Sequence, residues 1–338
     1  MKTFWQVAQD KAISEARPLV MVAPMADVTD VAFRTMIAKY SRMGEDRGGP
    51  DIMWDEFVSA DGLNSPGREI LKNDLAYGEA ERPIVAQLFT SDAENMYQAA
   101  KLCRELGFDG IDINMGCPVS TIEKQGAGAG LIQTPEIAVE LIRAAQRGAE
   151  GVPVSVKTRI GFNKIEYKEW LGKLLTCDLP ALTIHLRTKK EMSLVPAHWE
   201  LATEIYEFCK SIAPNTIIIM NGDVKSLKEA QEKYEQYKID GVMIGRGVFG
   251  TPWFFDWELM HLGKEKTLKE KFEIMLEHTK LYEETVGKYK SFAIMKKHYK
   301  AYVNGFDGAS DLRVRLFECD NYAEVERVIH EHNICQGE

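Results

Sequence analysis

None of the six cysteines in this 338-residue chain belongs to a C-x-x-C pair. Cys103, Cys117, Cys177, Cys209, Cys319 and Cys335 are scattered, so neither a zinc ribbon nor an iron–sulfur motif is spelled out. The seven histidines include no H-E-x-x-H, and His330 and His332, two apart, read as exposed polar residues. No metal is expected. No apolar run approaches the roughly 20 residues that cross a bilayer, and the opening MKTFWQVAQDKAISEARP lacks the apolar core of a signal peptide, so a cytoplasmic protein is expected. A G-x-G-x-x-G after a first strand is also missing. Gly126, Gly128 and Gly130 have the wrong spacing and follow the charged run TIEKQ, which excludes the six-strand dinucleotide fold. Positive charge is in short supply as well: the net charge of -9 argues at first sight against a nucleic-acid partner.

What is present is a repeated strand signal. Eight short segments are apolar or β-branched, and most are followed by a helical pattern: PLVMVAP from 18, DIMWDEF from 51, PIVAQLF from 83, GIDINM from 110, PVSVKTRI from 153, ALTIHLR from 181, TIIIMNG from 216 and GVMIGRG from 241. A spacing of about thirty residues suits βα units, and eight of them predict a (β/α)8 TIM barrel over residues 1–255. Helix starts are marked by Ser91-Asp92, Thr134-Pro135 and Ser226. Strand signals then stop, and helical periodicity predicts a smaller all-helical domain over 256–338.

In a barrel of this kind the chemistry sits at the C-terminal strand ends. Those ends carry Pro24 and Met25, Glu56, Gln87, Asn114 with Cys117, Lys157 with Arg159, His185 with Arg187, Asn221 to Asp223, and Gly245-Arg246. Strand alternation puts Lys157 with Arg159 on one face, and likewise His185 with Arg187. Taken alone, Lys157 reads as well as a structural ion pair; a ring of polar groups at one barrel end favours a ligand. Glycines and Arg246 after the last two strands suit a phosphate, and Asn and Gln side chains suit the amide edge of a flavin ring. A sugar phosphate would use the same phosphate site and leave the amide readers unexplained. Cys117 stays open between a buried structural thiol and a reactive group.

The charge objection is local. Residues 286–316 hold seven Lys/Arg (Lys288, Lys290, Lys296, Lys297, Lys300, Arg313, Arg315) against two Asp, interleaved with Tyr289, Phe292, Tyr299, Tyr302 and Phe306. This surface suits a polyanion. The alternative is a solvated helix face whose aromatics are core.

The motifs APMADVTDVAFR at 23, DINMGCP at 112, GAGAGLI at 126, VSVKTRIGF at 154, HLRT at 185, NGDV at 221 and DGVMIGRGVFGTPW at 240 resemble, in order, those of the tRNA-dihydrouridine synthase family. The resemblance spans the barrel almost end to end; the helical segment fits its layout with less specificity. It implies FMN contacts from Pro24, Met25, Ala26, Gln87, Lys157, His185, Asn221, Gly222, Asp223, Gly245 and Arg246. It also implies NADPH as reductant, hydride delivery from the flavin to C6 of a uracil, and Cys117 as the proton donor to C5. Asn114, Arg159 and Arg187 fall on the substrate side, and Lys296, Lys297 and Lys300 would hold tRNA around a uridine extruded into the barrel mouth. A monomer is expected. Asp27 stands where the family usually has glycine. Glu191, Ser193, Val195 and His198 replace its usual residues before Trp199, and segment 41–51 is long and polar; these departures are expected near the substrate. Two other functions remain: an FMN oxidoreductase of a free pyrimidine, of the dihydroorotate dehydrogenase kind, and a tRNA-binding or folding factor without chemistry.

Overall fold

The computed structural model describes residues 2–336 and contains nine parallel strands. They are β1 (Leu19–Val22), β2 (Met53–Trp54), β3 (Val58–Ser59), β4 (Ile84–Phe89), β5 (Gly110–Met115), β6 (Val154–Arg159), β7 (Ala181–His185), β8 (Ile217–Asn221) and β9 (Gly241–Ile244). The strand order β1-β9-β8-β7-β6-β5-β4-β2, with a bridge between Met21 and Ile52, curls the sheet into a nearly closed TIM barrel. Of the second predicted strand, 51–57, only Met53–Trp54 form a strand, and the short β3 follows just beyond it. Between β2 and β3, the Asp55 carboxylate takes the Gln87 amide at 2.7 Å in place of a ladder carbonyl, and β3 then pairs further along β4.

Helices alternate with the strands and begin at the anticipated caps: Asp92 accepts from Asn95 N, Ser226 accepts from Glu229 N, and Pro135 opens Pro135–Ala149. The barrel interior has two levels. Its lower level is apolar, with Leu19, Met21, Trp54, Val85, Ala181, Ile217, Ile219 and Met243, and it is plugged from below by Trp5, Ala8 and Ala12 of helix Phe4–Ser14. Polar residues occupy the upper level, where register sets Gln87 beside Asp112, Asn114 beside Lys157, and Arg159 and Asn221 on either side of His185. A sealed floor beneath a polar rim directs the chemistry to one end.

Beyond β9 the described residues are helical and build their own core around Met275, Tyr282, Met295, Tyr299 and Leu316. Ala32 and Met36 of the barrel helix Val31–Tyr40 join that core. His330 is exposed as expected, whereas the His332 ring packs against Phe272 and Phe306 at 5.9 and 6.0 Å. The Cys335 side chain lies outside the described residues. Segment 41–51 is not near the mouth. It links the C-terminal end of helix Val31–Tyr40 to the start of β2, which places it at the opposite end of the barrel. There Ser41 Oγ donates to Pro252 O at 2.6 Å.

Candidate functional site

Strand β5 turns Asp112 and Asn114 to the barrel interior, two residues apart. Asp112 accepts from Gln87 Nε2 and from Ser155 Oγ, each at 2.6 Å, and burial raises its carboxyl to about 6. Gln87 Oε1 accepts from Asn114 Nδ2 at 2.9 Å, so the Gln87 side chain is fully enclosed beneath the mouth. Asn114 Oδ1 in turn accepts from the amides of Gly116 and Cys117, at 3.1 and 2.9 Å, and bends the chain out of the strand. Behind that bend Gly128 has φ +59°, and a Cβ there would come within 2.9 Å of the Cys117 carbonyl. The glycine run is thus the close-packed support of the cysteine loop. Cys117 itself is 9% exposed and packs with Ile122, Ala127, Phe57 and Phe89. Burial raises its thiol above the usual range, opposed by the Val119 amide and by Arg159 and Lys157, so the sulfur keeps its proton at neutral pH.

Next to this loop opens a cavity of about 1170 Å³, bordered by Pro24, Met25, Pro118 and the ends of β6 to β9. Lys157, Arg159, Arg187, Lys225 and Arg246 line it, against the carboxylates of Asp223 and Glu229. Lys157 reaches from β6 to Asn221 Oδ1 on β8 at 3.2 Å; burial and the adjacent Arg159 lower its ammonium to about 8. His185 Nε2 lies 3.1 Å from Arg187 Nη1, which can only donate, so the ring accepts there and is neutral. Burial and the surrounding cations Arg159, Lys157, Arg187 and Arg246 hold it well below its ordinary value. Asp223, with φ +55°, joins Arg187 and Arg246 and also accepts from Ala197 N at 2.9 Å. Gly222 has φ +144°, and a Cβ there would meet Ala197 Cβ at 2.6 Å. Excess positive charge in a concave, partly desolvated site favours an anionic ligand.

Arg159 is differently employed. Its guanidinium donates to three backbone carbonyls, those of Gly116 at 2.6 Å, Met192 at 3.0 Å and Thr188 at 3.1 Å, and it ties the cysteine loop to the segment after β7. Burial lowers its pKa to about 10.

On the helical side, Lys288, Lys297 and Lys300 are exposed and Lys296 is partly so. Tyr299 and Tyr302 are core residues, as the solvated-face alternative holds for them. Lys290 is enclosed between Glu56 at 2.7 Å and Asp74 at 2.8 Å, and Lys297 pairs with Asp27 at 3.2 Å across the mouth of β1. Asp27 has φ +52°, the left-handed backbone that glycine adopts without strain, which accounts for glycine being usual there.

Comparison with known proteins joins this geometry to a family. The profile described as dihydrouridine synthase matches residues 21–336. A protein of Staphylococcus aureus (strain MRSA252) named "Probable tRNA-dihydrouridine synthase" is 39% identical over 318 residues, 93% of each chain. "Probable tRNA-dihydrouridine synthase 2" of Bacillus subtilis (strain 168) is 39% identical over 316 residues, again 93% of each. The chain belongs to the dihydrouridine synthase family. Among solved structures, morphinone reductase in complex with tetrahydroNAD aligns with a TM-score of 0.50 and 13% identity over 74% of this chain and 88% of that one, a likeness of barrel fold.

Within this dihydrouridine synthase family member, Pro24, Met25, Lys157, Arg159, His185, Arg187, Asn221, Gly222, Asp223, Gly245 and Arg246 meet at one cavity. Gln87, Asn114 and Cys117 stand beside or beneath it, and Ala26 flanks it in sequence. Sequence reasoning left Asp112 unassigned and named Ser193 and Val195 of the 192–196 wall only as departures from the family pattern on the substrate side. Two-residue alternation with Asn114 was a signal for Asp112; residues 192–196 carry no helix or strand pattern that would show them as a wall.

Proposed function

We propose that this chain is a tRNA-dihydrouridine synthase that holds FMN in the cationic cavity and uses NADPH to saturate the C5–C6 bond of uridines in tRNA. The carrying observation is that cavity: five cations against two carboxylates, next to the loop that carries Cys117. Arg246 and Arg187 suit the phosphate, and Lys157 and Asn221 suit the polar edge of the ring. When bound and reduced, the flavin would supply the hydride for C6 of uracil. Cys117 holds the proton destined for C5, and the raised thiol keeps that proton available at neutral pH. Asn114 fixes the backbone at Cys117, and His185, neutral beside Arg187, adds no further positive charge.

Residues 256–338 are assigned to tRNA. Exposed Lys297 and Lys300, with the partly exposed Lys296, would face the phosphates, and Lys297 sits at the edge of the mouth through its pair with Asp27. A uridine must leave its stack to reach the thiol, so a grip on the neighbouring backbone belongs beside the opening.

The test combines flavin titration with turnover of unmodified tRNA. Saturable FMN binding and NADPH-dependent dihydrouridine formation are expected. Cys117→Ala should leave tRNA affinity unchanged and slow product formation by about a hundredfold or more, the usual contribution of a positioned acid. Absence of flavin binding, or turnover of a free pyrimidine with none of tRNA, overturns the reading.

A further inference from the structure

One wall of the cavity is formed by residues 192–196, in a segment, 189–198, of turns, bends and irregular backbone. Its side chains do little to bury it: Met192, Leu194 and Val195 are 45, 83 and 36% exposed. Polar groups hold it instead. Arg159 donates to the carbonyls of Thr188 and Met192, and Arg187 Nε donates to Val195 O at 2.6 Å. A third fastening joins the two ends of the segment. Thr188 N donates to Glu191 Oε2 at 2.7 Å, Glu191 Oε1 lies 2.9 Å from His198 Nε2, and His198 Nδ1 lies 2.8 Å from Glu200 Oε1.

That last geometry fixes a protonation state. A neutral imidazole has one N–H, so with carboxylate oxygens at both ring nitrogens one contact would set lone pair against lone pair. Both contacts are satisfied only by the imidazolium. Glu191 and Glu200 are the charged groups facing the ring. The nearby Asp223 carboxylate is occupied by Arg187, Arg246 and the Ala197 amide.

We propose that His198, as an imidazolium between Glu191 and Glu200, is a positioning residue that clasps the 188–198 loop and so holds both the cavity wall and the Met192 carbonyl that steadies Arg159. The two carboxylates raise the ring above its ordinary 6.5. The clasp is therefore complete at lower pH. As pH rises through the raised value the ring loses one proton and one of its two bonds, and the loop loosens over the cationic floor.

Loop opening is read without reference to activity by trypsin cleavage after the exposed Lys190. His198→Gln retains one neutral donor and cannot titrate, so it serves as the reference at each pH. Relative to it, cleavage of the native protein should accelerate about fivefold between about pH 6.5 and about pH 9, the effect of losing one partly exposed charged contact. The His198 ring resonance should titrate above 6.5, and Glu200→Gln should move its midpoint down. A cleavage ratio flat with pH, or a ring that titrates at or below 6.5, overturns the proposal. The associated weakening of flavin affinity at high pH rests on the functional reading above. If flavin fails to bind while cleavage and resonance behave as stated, the clasp stands and that reading falls.

Discussion

Asn114 shows how one side chain can serve chemistry through the backbone. Its oxygen takes the amides of Gly116 and Cys117, and its nitrogen holds Gln87 in place. Asn114→Ala would leave two amides near the thiol without an acceptor, at a cost of about 1–3 kcal/mol for an unsatisfied buried donor. The expected outcome is a lower melting temperature together with faster alkylation of Cys117 by iodoacetamide, since the loop no longer holds the sulfur against Phe57 and Phe89. Unchanged alkylation would return Asn114 to a purely substrate-facing role. Alternation along β5, β6 and β7 was enough to send Asn114, Lys157, Arg159 and His185 to the same end of the barrel. It could not show that Arg159 would meet three carbonyls, because those carbonyls belong to loops positioned by tertiary contacts rather than by local pattern.

At the scale of elements, helix Met295–Tyr302 and the turn before it carry lysines with opposite duties. Lys290 is enclosed by Glu56 and Asp74, whereas among the described residues Lys296 and Lys300 have no comparable partner. Lys290→Met would strand two carboxylates in a buried interface and should destabilise the protein by about 3 kcal/mol, measured by denaturant unfolding. Replacing Lys296, Lys297 and Lys300 together by Gln should leave stability nearly unchanged. It should also weaken tRNA binding and reduce the slope of log affinity against log salt by about two. A retained slope would mean that these lysines are solvated rather than RNA-facing. Composition alone could not separate the two groups: Lys297 meets Asp27 and Lys290 meets Glu56 only after more than two hundred intervening residues have folded. The strands were legible for the converse reason, since their signal lies within runs of four to six residues. β2 and β3 broke that rule because Asp55 interrupts the ladder.

At the scale of the whole molecule, barrel and helices meet at a buried pair of histidines. Phe33 of the barrel lies 5.2 Å from the His278 ring and 4.7 Å from that of His298, and the two imidazoles are 4.6 Å apart. Burial lowers both, His298 to about 3, so both are neutral in the fold. Unfolded histidine takes up a proton near 6.5. Their contribution is fully present above that value and is lost as pH falls from about 6.5 toward about 3. Asp30, raised to about 7 by burial, works in the other direction, since its contribution is lost as pH rises from about 4 through 7. Comparison with His298→Phe isolates the imidazole. The variant should lose about 2 kcal/mol less stability than the native protein between about pH 6.5 and about pH 5, followed by urea unfolding. Parallel losses would remove the histidine from the acid response.

The same junction orders events during synthesis. Ala32 and Met36 are made more than two hundred residues before the surface that covers them, around Met275 and Met295. One edge of strand β1 likewise waits for β9, more than two hundred residues later, while its other edge meets Ile52 early. A nascent chain therefore carries an open strand edge until β9 is made and an uncovered apolar helix face until the helices beyond it follow, so the period of exposure ends in two steps.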